Sequence, residues 1–212
     1  MSSLLSLSRL IDRVSDRIGH TVYWLVLVTV LVSAANAVVR KAFNVSSNAF
    51  LEIQWYFFSA IFLFLAGYTL LRNEHVRIDV LAGRFSKRTQ AWIDIIGTLF
   101  FLLPMAVLFA WLGWPLFVDT FEHHEVSTNA GGLIIWPARL LVPIGFALLT
   151  LQGISELIKR IAFLRGLIPD PSEKHVEKTL EEELAEEIVK ARGDQDIAED
   201  IERAAQGREE KP

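Results

Sequence analysis

The stretch from Glu52 to Asp79 constrains the fold more than any other part of this 212-residue chain. Beyond Glu52, Gln54 and Trp55 it is almost entirely apolar as far as Leu71. An apolar run of about twenty residues is long enough to cross a hydrocarbon core of roughly 30 Å as a helix. The run is followed by a polar group: Arg72, Asn73, Glu74, His75, Arg77 and Asp79. This stretch therefore predicts a membrane-spanning helix with a charged group at one end.

Three more apolar stretches repeat this pattern along the chain. The four predicted spans cover about residues 21–39, 50–71, 92–112 and 136–158. Aromatic side chains lie near their ends, where amphipathic rings favour the headgroup level of a bilayer. Pro104 lies in the middle of the third span and is expected to kink it. The sequence thus predicts an all-α integral membrane protein with four transmembrane helices.

Two amphipathic segments flank these spans. Residues 1–20 place Arg9, Arg13 and Arg17 opposite an apolar face, which predicts a helix on the membrane surface. Between spans two and three, residues 78–90 predict a basic in-plane helix with three side chains on lipid headgroups. These are Arg84, Lys87 and Arg88. The Arg-containing start, the apolar run and Ala35–Asn36–Ala37 also resemble a secretory signal with its cleavage site, but the long apolar run and the long polar segment before it favour a retained span.

The distribution of basic residues predicts the orientation of the chain. Lys and Arg are concentrated before span one, between spans two and three, and after span four. By the positive-inside rule both termini are cytoplasmic and the loop over residues 119–135 is external. The predicted parts are a cytoplasmic N-terminus (1–20), a four-span membrane domain (21–165) and an acidic cytoplasmic tail (166–212). Residues 170–212 carry a net charge of −8.

Few residues offer chemistry. Cysteine is absent, so thiolate nucleophiles and cysteine-based zinc sites are excluded. The run from Glu122 to Glu125 contains two histidines, but neighbouring side chains on one short segment rarely converge on one ion. No hydrolase, protease or phosphate-loop motif occurs. We therefore expect no catalytic residue, metal, cofactor or substrate-binding residue in this chain, and no nucleic acid as partner.

Ionisable residues near the span ends are better explained as anchors and packing pairs than as groups that take part in transport, because an unpaired charge at membrane depth is costly. Glu52 and Arg139 lie at the predicted external side and could face each other. Asp94 lies at the opposite side, within reach of Arg72, Arg77 or Lys87. Glu156 precedes Lys159 and Arg160 by about one helical turn, which predicts pairing along one helix.

Several short motifs resemble the small membrane subunit of tripartite ATP-independent periplasmic (TRAP) transporters. Their order and spacing over residues 12–165 carry the resemblance more than any single motif does. They are Gln54–Trp55–Tyr56, Gly67–Tyr68–Thr69–Leu70, His75–Val76–Arg77–Ile78–Asp79, Trp92–Ile93–Asp94–Ile95–Ile96–Gly97, Gly131–Gly132–Leu133, Trp136–Pro137 and Pro143–Ile144–Gly145–Phe146. The acidic extension after Asp170 is not part of that pattern.

The resemblance implies a non-catalytic subunit that braces a large multi-span permease subunit. That partner would carry out sodium-driven uptake of organic acids delivered by a periplasmic binding protein, and lipid would contact the in-plane helix. The candidate packing and anchoring residues are Glu52, Gln54, Trp55, His75, Arg77, Asp79, Asp94 and Arg139. A different hypothesis is a membrane anchor or adaptor whose acidic tail recruits a cytosolic partner.

Overall fold

A computed structural model describes residues 2–44, 47–73 and 85–171 of the chain. These residues form five α-helices and one π-helical segment: α1 (Ser2–Phe43), α2 (Asn48–Leu71), α3 (Lys87–Gly97), the π-helix (Thr98–Leu102), α4 (Leu103–Glu122) and α5 (Trp136–Leu164). Four stretches are helical, long and apolar enough to cross a membrane: Ser2–Phe43, Asn48–Leu71, Lys87–Glu122 and Trp136–Leu164. The predicted all-α, four-span architecture is confirmed. Most of the predicted in-plane helix over 78–90 lies outside the described residues.

Helix α5 lies at the centre of the bundle and packs against α1, α2, α3 and α4. Small residues allow the close approach. A Cβ atom at Gly145 would lie 2.6 Å from Leu63 Cβ of α2, and one at Gly113 of α4 would lie 3.2 Å from Pro143 Cδ. Small residues at such crossings let helix backbones approach closely, which is how transmembrane helices associate without a hydrophobic driving force.

Helix α1 runs without interruption for 42 residues, which corresponds to about 63 Å at 1.5 Å per residue. Residues 2–20, predicted as a separate surface helix, are continuous with the first span. One face of this segment is buried through Ser8, Ser15, Gly19 and Val22. These residues share one side of the helix because they recur at intervals of three, four or seven. The N-terminal part of α1 is thus packed side by side with another helix.

The third span contains the distortion that Pro104 predicted. The Leu103 N–H donates to the Thr98 carbonyl, five residues earlier, and residues 98–102 are π-helical. Proline has no N–H to donate, and a π-helical turn is one way in which a helix accommodates the irregular hydrogen bonding. The span therefore continues through the proline from Lys87 to Glu122.

Candidate functional site

Polar side chains gather at the two ends of the bundle. At one end, here called the Glu52 end, α2 begins beside the loop that joins α4 to α5. Glu52 is only 3% exposed. Its carboxylate accepts hydrogen bonds from the Ser127 hydroxyl, from Asn129 Nδ2 at 2.8 Å and from the Leu133 N–H at 2.7 Å. One carboxylate thus receives three donors, all of them from a single loop.

The loop has a hairpin-like structure that presents these donors. The Ser127 N–H donates to the Leu133 carbonyl at 2.9 Å, and the Ile135 N–H donates to the Glu125 carbonyl at 3.0 Å. A Cβ atom at Gly132 would lie 2.5 Å from Ser127 Cβ and 2.9 Å from Glu52 Oε1, so this position requires glycine. Tyr56 of α2 adds a hydrogen bond from its hydroxyl to the Ile134 carbonyl at 2.9 Å.

Glu52 and Arg139 do not pair with each other, contrary to expectation. Arg139 lies 3.0 Å from a Glu125 carboxylate oxygen and also donates to the Thr120 hydroxyl. The loop lies over Glu52 and supplies its donors, so each residue has partners of its own. Among the other candidates at this end, Gln54 accepts a hydrogen bond from Ser33 of α1 at 2.8 Å. Trp55 is 62% exposed on the outer face of α2.

At the opposite end, here called the Arg160 end, a buried guanidinium joins several segments. Arg160 is 3% exposed. It lies 3.2 Å from a carboxylate oxygen of Asp94 and 3.6 Å from one of Asp170, and it donates to Asn73 Oδ1 at 3.3 Å. Lys87 lies 3.4 Å from the second Asp170 oxygen. The Arg160 cluster, as we call these residues, ties α5 to α3, to the end of α2 and to the segment after α5.

A second network at this end lies between α1 and α5, and we call it the α1–α5 seam. Ser8 and Ser155 share a hydrogen bond of 2.7 Å, and the Ser15 hydroxyl donates to Gln152 Oε1 at 2.7 Å. Asp12 accepts from Ser155 at 2.7 Å and from Gln152 Nε2 at 3.0 Å. Lys159 completes the network, 3.2 Å from Asp12 and 2.5 Å from Glu156. The predicted Glu156–Lys159 pairing is therefore confirmed.

Two of the three partners expected for Asp94, Arg72 and Lys87, were wrong, and the third, Arg77, lies outside the described residues. Asp94 pairs with Arg160, whereas Arg72 pairs with Asp16 of α1 at 2.9 Å and Lys87 pairs with Asp170. The rotation of each helix about its own axis determines which carboxylate each of these cations meets. Four of the candidate residues lie outside the described part of the chain: His75, Arg77, Asp79 and Arg84. Lys87 and Arg88 are both exposed.

Sequence reasoning missed the α1–α5 seam. The signal was present as small or polar residues that recur every three or four positions before the first span: Ser8, Asp12, Ser15 and Gly19. The amphipathic interpretation sorted this segment into a basic and an apolar face only. Of the residues between those two faces, Ser8, Asp12 and Ser15 contact α5 and Gly19 packs against Tyr68 of α2.

No group of three or more metal-ligating side chains converges within residues 2–44, 47–73 and 85–171. In the run from Glu122 to Glu125, the His123 ring nitrogen lies 2.8 Å from the Asp119 carbonyl oxygen and 3.3 Å from its carboxylate. Both contacts are made with Asp119, one helical turn earlier in α4. His123 is thus explained by contacts within its own helix.

The arrangement defines a class: a multi-span α-helical membrane protein whose buried polar groups join helices and loops at the ends of the bundle. Residues 28–163 match the family described as tripartite ATP-independent periplasmic transporters, DctQ component. The chain belongs to this family, the small component of such transporters, and the resemblance in the sequence is confirmed. It is therefore a membrane protein that works with the other components of a tripartite transporter. No curated protein and no solved structure gives a significant match to the chain.

Proposed function

We propose that this chain is a non-catalytic brace for the large permease subunit of a TRAP-type transporter. The observation that carries the proposal is the position of the charges. The span interiors over 21–39, 53–71, 95–118 and 140–155 contain no Asp, Glu, Lys, Arg or His. Buried charges lie instead at the bundle ends, where they fasten helices to one another. A secondary transporter places substrate and coupling-ion sites near the bilayer midplane, so the large subunit would supply them.

In this proposal the transporter is sodium-driven and takes up organic acids that a periplasmic binding protein delivers. The small subunit lies in the bacterial inner membrane with both termini in the cytoplasm. The Glu52 end then faces the periplasm, and the Arg160 end faces the cytoplasm. Lys87, Arg88 and the neighbouring Arg84 would rest on lipid phosphates, at about 1 kcal/mol for each basic residue.

The test is a mild-detergent pull-down of the tagged chain from its native membrane, followed by solute uptake into vesicles that contain the recovered proteins. We expect one large multi-span protein in near-equal amount, and uptake that requires both chains and a sodium gradient. A chain truncated after Glu173 should still support uptake, because the residues that pair with Arg160 are retained. Recovery of soluble proteins alone, or loss of uptake on truncation, would favour the adaptor hypothesis instead.

A further inference from the structure

A polar cleft of about 360 Å³ lies between α1 and the end of α2. It is lined by Asp12, Arg13, Asp16, Leu71 and Arg72. The cleft thus holds two guanidinium groups and two carboxylates, whose formal charges cancel. A ligand that complements both kinds of group must itself carry a positive and a negative charge.

The charged groups of the cleft differ in how far other side chains already occupy them. Asp12 accepts hydrogen bonds from Ser155 and Gln152 and lies 3.2 Å from Lys159. Arg13, in contrast, makes no side-chain hydrogen bond or ion pair with any residue in the described part of the chain. The guanidinium of Arg13 is therefore available to an anion from outside the chain.

The guanidinium of Arg72 is held in place by two neighbours. Its Nη2 donates to Asp16 Oδ1 at 2.9 Å, and its central carbon lies 5.3 Å from the centre of the Tyr68 ring. A guanidinium has five N–H donors, so Arg72 can bind a second anion while it holds Asp16. The other Asp16 oxygen lies 3.6 Å from a ring nitrogen of His20, beyond hydrogen-bond distance, and can accept from a cation.

The cleft begins where the apolar surface of α2 ends. Residues 53–71 contain no charged side chain, and Leu71 lines the cleft beside Arg72. A phospholipid has the same succession, from acyl chains to a phosphate and then to the rest of the headgroup. Arginine binds phosphate through two parallel N–H donors, and a primary ammonium offers three donors to a carboxylate. The groups that line the cleft therefore match a phosphate joined to an ammonium.

We infer that this cleft binds a phosphate ester that carries a primary ammonium group. The phosphate lies between Arg13 and Arg72, and the ammonium lies against Asp16. The headgroup of phosphatidylethanolamine has this chemistry, and so does soluble phosphoethanolamine. The apolar surface that ends at Leu71 favours the lipid. The site consists of residues of this chain alone, so it does not depend on the proposed function.

Native mass spectrometry of the full chain, washed free of lipid in mild detergent, tests this inference. Phosphatidylethanolamine, phosphatidylcholine and phosphatidylglycerol with the same acyl chains are added in turn. We expect phosphatidylethanolamine to bind more tightly than the other two. The quaternary ammonium of phosphatidylcholine has no N–H to donate to Asp16, and phosphatidylglycerol brings no ammonium for that carboxylate. Equal binding of the three lipids would overturn the inference.

Two substitutions and a matched control locate the binding. Arg13→Ala should weaken phosphatidylethanolamine binding about tenfold, the effect of losing one hydrogen bond between charged groups. Arg9→Ala is the control and should leave binding unchanged, because Arg9 donates to Ser6 at 3.2 Å and does not line the cleft. Asp16→Asn should shift the preference toward phosphatidylglycerol, because Arg72 loses its internal counter-ion. Circular dichroism checks that the helices persist in each variant.

Soluble phosphoethanolamine distinguishes the two sources of the headgroup. We expect it to displace the bound lipid only in large excess, because it has no acyl chains to lie along α2. Displacement at equal concentration would support the site with a soluble ligand instead. If neither compound binds, or if Arg13→Ala and Arg9→Ala bind phosphatidylethanolamine equally well, the cleft is not such a site.

Discussion

The two ends of the bundle use buried charge differently. At the Glu52 end, one carboxylate accepts hydrogen bonds from neutral donors of a single loop. At the Arg160 end, ion pairs and a hydrogen bond to the Asn73 amide join segments that are far apart in the chain. The first arrangement fixes the shape of a loop on one helix. The second fixes the relative positions of the helices themselves.

The difference indicates where the bundle resists deformation. In the proposed bracing role the helices would have to keep their relative positions, and the Arg160 end has ion pairs and a hydrogen bond between helices that hold them. The Glu52 end instead holds one loop in a fixed shape through hydrogen bonds to a single carboxylate. Removing a charge at the Arg160 end should therefore lower the unfolding free energy of the whole bundle. Removing the charge at the Glu52 end should change only the loop that it holds.

Arg160→Met should cause the largest loss. It leaves the Asp94 and Asp170 carboxylates without their shared cation, and breaking a buried pair in this way costs about 3–5 kcal/mol of unfolding free energy. Denaturant unfolding in detergent micelles measures the change. The triple variant with Asp94→Asn and Asp170→Asn should recover much of the loss, because the two carboxylates that face Arg160 become neutral and Lys87, the other partner of Asp170, is exposed to solvent. An unchanged unfolding free energy for Arg160→Met alone would show that the cluster does not hold the helices.

Gly19→Ala should come next, also by acting on helix packing. Its Cβ atom would lie 2.3 to 2.7 Å from ring carbons of Tyr68 on α2, and overpacking of this kind costs about 1–3 kcal/mol of unfolding free energy. Gly67→Ala is the matched control on α2. Its nearest contacts would be 3.7 Å away, and alanine is the better helix former, so that variant should be neutral or stabilised. Equal losses in the two variants would contradict the close α1–α2 packing.

Glu52→Gln should have a local effect. The amide keeps the shape of the side chain but replaces one acceptor oxygen with a donor, so it cannot satisfy Ser127, Asn129 and Leu133 together. Hydrogen exchange should become faster over residues 127–133, whereas α2 and α5 keep their protection. Ser127→Ala, which removes one donor only, should give a smaller increase. Loss of protection throughout the bundle would contradict the distinction between the two ends.

Protonation of His123 should have the smallest effect on stability, confined to the end of α4 that leads into the loop. Its hydrogen bond to the Asp119 backbone and the nearby carboxylates of Asp119, Glu122 and Glu125 raise its pKa above 6.5. A raised pKa favours the protonated form in the folded chain. The resulting stabilisation is complete below the ordinary pKa and disappears as the pH rises through the raised value. NMR titration of the ring should show this, and Asp119→Asn should lower the value; a pKa at or below 6.5 would contradict the contacts.

The sequence predicted the parts of the fold that depend on length and composition. Four apolar runs of sufficient length predicted the four spans, and charges near the span ends marked some residues that form ion pairs, such as Asp94 and Arg139. The partners within those pairs required three dimensions. The Asp94–Arg160 pair, for example, depends on how α3 and α5 are rotated relative to each other, which the sequence does not state.

The same reasoning explains the two other differences. A loop that folds back over a helix end leaves no periodic signal, so the donors to Glu52 could not be assigned from the chain. The buried serines of α1 were visible, but a short hydroxyl side chain fits a solvent-facing helix as well as a close helix crossing. Only the presence of α5 against Ser8 and Ser15 distinguishes these two environments.

The Arg160 cluster also has a consequence for the order in which the chain is made. Its members lie far apart in the sequence. Asn73 and Asp94 are synthesised before Arg160 and Asp170. The full set of contacts described for Arg160 therefore requires the final helix and the residues that follow it. A chain that ends before Asp170 would keep the Asp94–Arg160 pair but lose the contacts of Asp170 with Arg160 and Lys87, so fewer ion pairs would hold its final helix.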